Sequence, residues 1–216
     1  MSYVLERRVK TLEDNAAVGV DLTGLTATAA DLNTISSAGN AAAIGAVAGT
    51  GVDCTIARYG KFFTLDFTFT DVAVTWTDAA GSGASGSIKI FDFVQGAIQT
   101  LGSRSNLTLA SDTTMDVAGD LALVYAVGSA AANAGDAALT GTEVDYVPIS
   151  GTITFSGNAA TSATLLKAAG AAVVDGTGTA SDMYLNFSGS AATSDANGVL
   201  TVNGTLTVVG IFLGDD

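Results

Sequence analysis

The chain has 216 residues, a formal net charge of −13, one cysteine and no histidine. The lack of histidine excludes Ser-His-Asp and Cys-His catalysis and most zinc sites. A single cysteine, Cys54, excludes an internal disulfide. We therefore expect a protein that is not an enzyme and that holds no cofactor and no metal. A carboxylate-based enzyme stays open as the alternative, because two carboxylates suffice for glycoside hydrolysis.

Residues 1–50 are predicted to form an extended N-terminal arm. Its first part, residues 2–14, has apolar side chains at spacings of four and three, which predicts a short amphipathic helix. A helix this short is marginal in water, so its apolar stripe must dock on the body, on a sister chain or on another protein. The residues that we expect to bind a partner are Leu5, Arg7, Arg8, Val9 and Leu12. Residues 36–51 are rich in glycine and alanine and are predicted to be a linker.

The remaining residues, 51–216, are predicted to form a β-rich body. Four apolar side chains alternate with polar ones over residues 63–70, which is the period of a half-buried strand. Further strands are predicted at 52–57, 72–76, 88–94, 121–127, 143–149, 151–156, 164–168, 183–188 and 198–213. Turn residues separate most of these segments at the spacing of an antiparallel β-sandwich, either jelly-roll-like or Ig-like.

The clearest turn signal in the body is Asn203-Gly204. Alternating runs flank this dipeptide on both sides, and Asn-Gly supplies the two positive φ angles of a type I′ turn. The pattern predicts a β-hairpin that pairs Val202 with Thr205.

Two patterns resemble ligand sites and have simpler structural interpretations. Gly81–Gly86 matches GxGxxG, but a predicted strand follows it where a dinucleotide site needs a helix, so we expect a flexible hairpin loop. Asp112, Asp116 and Asp120 recur every four residues and are predicted to form a solvated acidic face. An adventitious divalent-cation site is the alternative for these three carboxylates.

The cysteine and the phenylalanines of the body are both predicted to be structural. Cys54 shares the apolar side of its strand with Val52 and Ile56, so we expect a small buried hydrophobic residue rather than a reactive thiol. Phe63, Phe67 and their neighbours are predicted to lie in the core. An aromatic platform for sugar binding is the alternative.

The acidic residues are concentrated in the second half of the chain. Residues 105–216 contain eleven acidic residues and one basic residue, Lys167. A surface of this sign repels phosphate, so we expect binding to neither nucleic acid nor an anionic membrane. The N-terminal residues carry charges directly after the first apolar side chains, which predicts no secretory leader.

Several segments resemble proteins of phage particles. Leu25–Asn33, LTATAADLN, resembles the LTATAAELN segment of many tailed-phage virion proteins, with Asp31 in place of the usual glutamate. Residues 119–128 and 139–149 and the segment Met183–Phe187 are similar to parts of β-rich phage structural proteins. The resemblance implies a virion structural protein with no catalytic residue.

Within that class, the resemblance is greatest to a capsid decoration (cement) protein. Such a protein would bind the major capsid protein on the outer capsid surface of the virion as a homotrimer and would stabilise the shell. The acidic body agrees with that location, since it would be repelled by packaged DNA. The alternatives are a tail-fibre, collar or other virion attachment protein, and a non-viral adhesin.

Overall fold

The computed structural model describes residues 21–22, 25–26, 44–155, 161–168, 173–190 and 192–214, with only the backbone described at 21–22, 25–26 and 161–168. The chain divides into two compact units, Met1–Ala42 and Ala43–Asp216. In the first unit, β1 (Asp21–Leu22) pairs antiparallel with β2 (Leu25–Thr26). The helix predicted over residues 2–14 lies outside the described residues.

The second unit is built almost entirely of β-strands. They are β3 (Gly45–Val47), β4 (Val52–Tyr59), β5 (Phe62–Ala79), β6 (Gly83–Phe93), β7 (Ala97–Ser111), β8 (Ala122–Gly128), β9 (Ile153–Thr154), β10 (Thr161–Ala168), β11 (Val173–Val174), β12 (Asp182–Gly189) and β13 (Gly198–Gly214). A 3₁₀ helix spans Gly141–Glu143. The second unit begins before the predicted boundary at 51, since β3 pairs with β6 and the preceding Ile44 is fully buried.

The strands form one curled antiparallel sheet in the order β10-β7-β13-β5-β6-β12-β8-β9. β5 and β6 pair only near their connecting turn, and then β5 continues beside β4 while β6 continues beside β3. We call β4, β5, β13, β7 and β10 layer one, and β3, β6, β12, β8 and β9 layer two. The layers face each other, since Ser105 of β7 hydrogen-bonds Tyr125 of β8. The predicted mainly β, antiparallel and sandwich-like architecture is confirmed.

An aromatic seam packs the two layers together. The inward residues of the first part of β5 are at most 2% exposed; they are Phe63, Leu65, Phe67 and Phe69. Phe67 meets Phe91 of β6 edge to face, with ring centroids 6.1 Å apart, and Phe63 meets Phe93 at 5.9 Å. Edge-to-face pairs add stabilisation beyond the area they bury. The predicted core position of these phenylalanines is confirmed.

Strand β7 was not predicted from the sequence, although it lies next to the centre of layer one. Its inward positions include the hydroxyl residues Thr100, Ser103 and Ser105, which are at most 6% exposed. Two of them have partners across the core: Ser105 meets the Tyr125 hydroxyl, and Thr100 Oγ1 donates to the Tyr146 carbonyl at 2.7 Å. Ile98, Leu107 and Leu109 are buried on the same side, but the polar positions between them interrupt the hydrophobic alternation that would predict a strand.

The strand predicted at 143–149 is wrong. Glu143 ends the 3₁₀ helix, and Val147 makes only an isolated bridge with Val127 of β8. The buried Glu143 carboxylate accepts hydrogen bonds from the backbone N–H groups of Thr140 and Asn133, at 2.7 and 3.3 Å. These bonds favour a compact loop over an extended strand.

The hairpin predicted at Asn203-Gly204 is also wrong. Both residues lie inside β13, which runs unbroken between β5 and β7. The alternating segments on either side of the dipeptide therefore bond to neighbouring strands and not to each other. The turn preference of these two residues is outweighed by the backbone hydrogen bonds that β13 forms with the strands on both of its sides.

A β-bulge in β5 lies opposite the expected turn. Thr70 and Asp71 of β5 together oppose the single residue Asn203 of β13. Asp71 has a φ of 49°, its N–H donates to Asn203 Oδ1 at 2.9 Å, and Asn203 Nδ2 donates to Asp71 Oδ1 at 3.1 Å. The bulge shifts the inward side chains of β5 from odd positions, ending at Phe69, to even positions, starting at Val72.

Replacing Gly204 with alanine should destabilise the body by about 3 kcal/mol. Gly204 has a φ of +117°, and an added Cβ would lie 2.1 Å from the Asn106 carbonyl oxygen of β7. Urea unfolding of G204A measures the loss. The matched control is G178A, since a Cβ at Gly178 meets nothing within 4 Å. Equal unfolding midpoints for the two variants would contradict the tight approach of β13 to β7.

Candidate functional site

The five residues predicted to bind a partner, Leu5, Arg7, Arg8, Val9 and Leu12, lie outside the described residues. Their role stays a prediction. The geometry of a partner-binding surface is therefore derived from the second unit.

Layer one presents a long polar face to solvent, which we call the outer face. Directly paired residues of antiparallel strands point to the same side, so the register places rows of side chains across β4, β5, β13 and β7. One row is Thr55, Asp66, Thr207 and Arg104, and the next is Asp53, Thr68, Thr205 and Asn106. Within the first row, Thr207 Oγ1 donates to Asp66 Oδ1 at 2.6 Å.

The side chains of the outer face are suited to contact with another protein. Threonine is β-branched and stiff at χ1, so burying it loses little conformational entropy. A depression of about 240 Å³ lies on this face and is lined by Arg104, Ser105, Asn106, Thr205 and Thr207. Arg104 is exposed there and offers guanidinium donors to an acceptor on a partner.

Two aromatic side chains are exposed at one end of the outer face. Tyr59 and Phe62 pair across the turn between β4 and β5 and are 72% and 54% exposed. The same row continues through Ile211 and Gln99 to Val173, which is 49% exposed. Exposed aromatic and aliphatic side chains beside a polar surface are typical of protein-contact sites.

The three aspartates at 112, 116 and 120 do not form the predicted solvated acidic face. Asp116 is fully buried, and its Oδ1 accepts hydrogen bonds from the N–H groups of Asp120 and Leu121 at 3.0 and 3.2 Å. Asp112 accepts hydrogen bonds from the turn that follows it and, at 2.6 Å, from Val199 N–H of β13. The Asp112 and Asp116 carboxylates hold the loop between β7 and β8, whereas Asp120 is exposed as predicted. Among the described residues, no group of acidic or cysteine side chains is arranged to hold a metal ion.

A buried amide holds the loop between β8 and β9 against layer two. Asn186 of β12 is fully buried, and its Nδ2 donates to the carbonyls of Ala130 and Glu143, both at 2.9 Å. Its Oδ1 accepts hydrogen bonds from Ser87 Oγ at 2.6 Å and Ala132 N–H at 3.1 Å. Every hydrogen-bonding position of the amide is used. The structural role of Asn186 was not predicted, because its only signal in the sequence is an asparagine between apolar residues of a strand.

The GxGxxG match is divided between a turn and a strand. β5 ends at Ala79 and β6 begins at Gly83, so only Gly81 lies in the connecting turn, and Gly83 and Gly86 lie in β6. A strand follows the match where a dinucleotide site needs a helix. The interpretation as a hairpin connection is confirmed, although the predicted loop is longer than the turn.

Cys54 is half-buried on the inner side of β4 and not fully buried as predicted. Burial, and then the nearby negative charge of Asp66, raise the pKa of its thiol to about 12. The thiol is therefore protonated at neutral pH and is a poor nucleophile.

Among the described residues, no helix has the length and apolar character needed to cross a membrane.

Comparison with known proteins identifies no family for this chain. No family model matches it, and no curated protein matches it. Among solved structures, an arabinose-bound α-L-arabinofuranosidase aligns with a TM-score of 0.36 and 13% identity, over 85% of this chain and 24% of the enzyme chain. This chain thus spans about a quarter of that enzyme. A similarity this weak carries no argument about function.

The Asp112→Asn variant should be less stable at neutral pH and should lose less stability on acidification. Burial opposes ionisation of Asp112, but hydrogen bonds from Met115, Thr114 and Val199 outweigh it and hold the pKa below its usual 3.8. Its contribution is therefore complete above pH 3.8 and is lost as the pH falls through the lower folded-state pKa. Unfolding free energies of both proteins, measured between about pH 6 and pH 2, test this.

The matched control is Asp175→Asn. The pKa of Asp175 is also lowered, by hydrogen bonds from Thr177, but these bonds stay within its own exposed turn. Asp112 instead ties its turn to β13. A pH profile of D112N that coincides with that of D175N would contradict a structural role for Asp112.

Proposed function

We propose that this protein is a capsid decoration (cement) protein that binds the outer surface of a tailed-phage capsid. The proposal starts from the resemblance of Leu25–Asn33 to a segment of tailed-phage virion proteins. The strand order of the body is the structural observation that carries it. The exposed outer face of layer one and its aromatic end supply a surface for contact with protein.

The strand order supports a jelly roll as the finer fold. Layer one contains β5-β13-β7-β10, and layer two contains β6-β12-β8-β9. Among these eight strands, consecutive ones such as β5 and β6 or β12 and β13 lie in opposite layers, except β8 and β9, which pair within layer two. This alternation is what two interleaved Greek keys produce, and eight-stranded jelly rolls form viral capsid and lectin domains. The fold alone does not fix the function, so the resemblance is needed to favour the capsid.

The proposed assembly is a homotrimer in which three copies meet at one capsid site. Cyclic closure limits the pairing that exposed strand edges invite. Three copies also bring three arms to one site, so weak contacts of each arm would combine by avidity. The second candidate is a tail-fibre or collar protein, which the same resemblance includes.

Copy number in purified particles separates the two candidates. A decoration protein covers a lattice and should be present in hundreds of copies, whereas a tail or collar protein should be present in tens or fewer. Quantitative mass spectrometry against the major capsid protein measures the ratio. A count in the tens would overturn the decoration proposal and favour the tail or collar.

Deleting residues 1–14 should remove the protein from particles and leave the body folded. The apolar stripe of Leu5, Val9 and Leu12 would contribute on the order of 5 kcal/mol when buried against the capsid, before entropy costs. Occupancy on reconstituted capsids and the melting temperature of the free protein are the two measurements. The triple serine variant of these residues is the full-length counterpart. Wild-type occupancy of the truncated protein would assign the contact to the body instead.

A further inference from the structure

Strand β4 is an edge strand of layer one. Within the described residues, β4 pairs with β5 on one side and with no strand on the other. It is eight residues long and contains no proline and no lysine. Natural edge strands commonly carry such residues because they prevent pairing with another chain. Its one inward-pointing charge, Arg58, pairs with Phe63 near the end of the strand, lies 5.6 Å from the Phe212 ring centroid and donates from Nε to the Gly60 carbonyl at 2.8 Å. The part of the edge formed by residues 52–57 therefore has no proline, no lysine and no inward-pointing charge.

The hydrogen-bond phase of β4 follows from its register. Thr70 N–H donates to the Gly51 carbonyl at 2.9 Å, in the same register that pairs Tyr59 with Phe62. Hydrogen-bonded pairs recur at every second residue of an antiparallel ladder. The odd-numbered residues of β4 thus bond to β5. The backbone groups of Cys54 and Ile56 point outward.

Apolar side chains lie at the opening between the two layers beside this edge. Ile56 pairs with the buried Leu65 and therefore points inward, yet it is 39% exposed. Val47 of β3 pairs with the buried Phe91, points inward from layer two and is 38% exposed. These two residues flank the open side of the sandwich, where a further strand would cover them.

The other side of the edge is acidic. Asp53 and Thr55 of β4 point to the outer face, and Asp66 of β5 lies opposite Thr55. Both aspartates are exposed. A strand added beside residues 52–57 of β4 would therefore place every second side chain among apolar groups and the others near carboxylates.

We propose that β4 accepts an extended segment of a different protein as an additional strand. The segment has apolar residues at alternate positions, facing Ile56 and Val47, and lysine or arginine between them, facing Asp53 and Asp66. Backbone hydrogen bonds to Cys54 and Ile56 give affinity, and the alternating side chains give the register. This inference goes beyond the capsid assignment, because it names the chemistry of the partner segment and not its source.

A synthetic peptide tests the proposal without a capsid. The probe is a fluorescent eight-residue peptide that alternates valine and lysine, and its control has the same composition in two blocks. The full-length protein should bind the alternating peptide at least tenfold more tightly in fluorescence anisotropy. Equal binding of the two peptides would show that charge attraction alone accounts for the binding, and it would overturn the proposal.

Ile56→Pro removes the outward N–H and should weaken binding of the alternating peptide at least tenfold. It costs no bond to β5, because an edge strand tolerates proline where the N–H faces solvent. Ile56→Val keeps the N–H and should bind like the wild type. Should I56P fail to fold, Ile56→Lys blocks the same edge with an inward-pointing charge. Unchanged affinity of the folded blocking variant would overturn the proposal.

Two other occupants of the edge would give distinct results. A second copy of this chain would be identified by I56P changing the oligomer mass in light scattering without peptide. The protein's own first unit would be identified by deletion of residues 1–42 raising peptide affinity. Either result would overturn the assignment to a different protein. The capsid proposal is tested separately, by the copy number in purified particles.

Discussion

The structure depends on the burial of one aromatic seam between two β-layers. Phe63 and Phe67 reach from β5 to Phe91 and Phe93 of β6, although these two strands pair only near their turn. Because the strands separate after the turn, the aromatic rings fill the space that opens between them. Beyond the turn, β5 and β6 pair instead with other strands of their own layers. The layers place the polar outer face on one side and leave the β4 edge at the open side.

Hydrophobic alternation predicted the parts of the fold where inward positions are apolar. Much of β5 and the class of the body follow from it. The same criterion missed β7, whose inward Thr100 and Ser105 are paired across the core by atoms that only the tertiary structure supplies. It misread Asn203-Gly204 for a related reason. A local turn preference of the dipeptide is outweighed by hydrogen-bonding partners distant in sequence.

The polar groups show why sites are harder to predict than strands. The spacing of Asp112, Asp116 and Asp120 indicated exposed charge, whereas Asp116 is buried and accepts backbone N–H bonds. An aspartate that satisfies a loop and one that faces solvent have the same sequence signature. Asn186 carries even less signal, yet its amide joins two distant carbonyls of one loop to β12. The outer face, in contrast, could be predicted from the polar residues at every second position of the alternating strands.

The position of the last two strands governs how the chain reaches its structure during synthesis. β13 is inserted between β5 and β7, and β12 between β6 and β8, so the centre of each layer is supplied by the C-terminal part of the chain. A ribosome that has made the first 180 residues has released edge-exposed strands without the strands that separate them. Such long-range pairing is slow and leaves apolar strands open to association. Nascent chains of this protein are therefore expected to depend on chaperones until β12 and β13 have been synthesised.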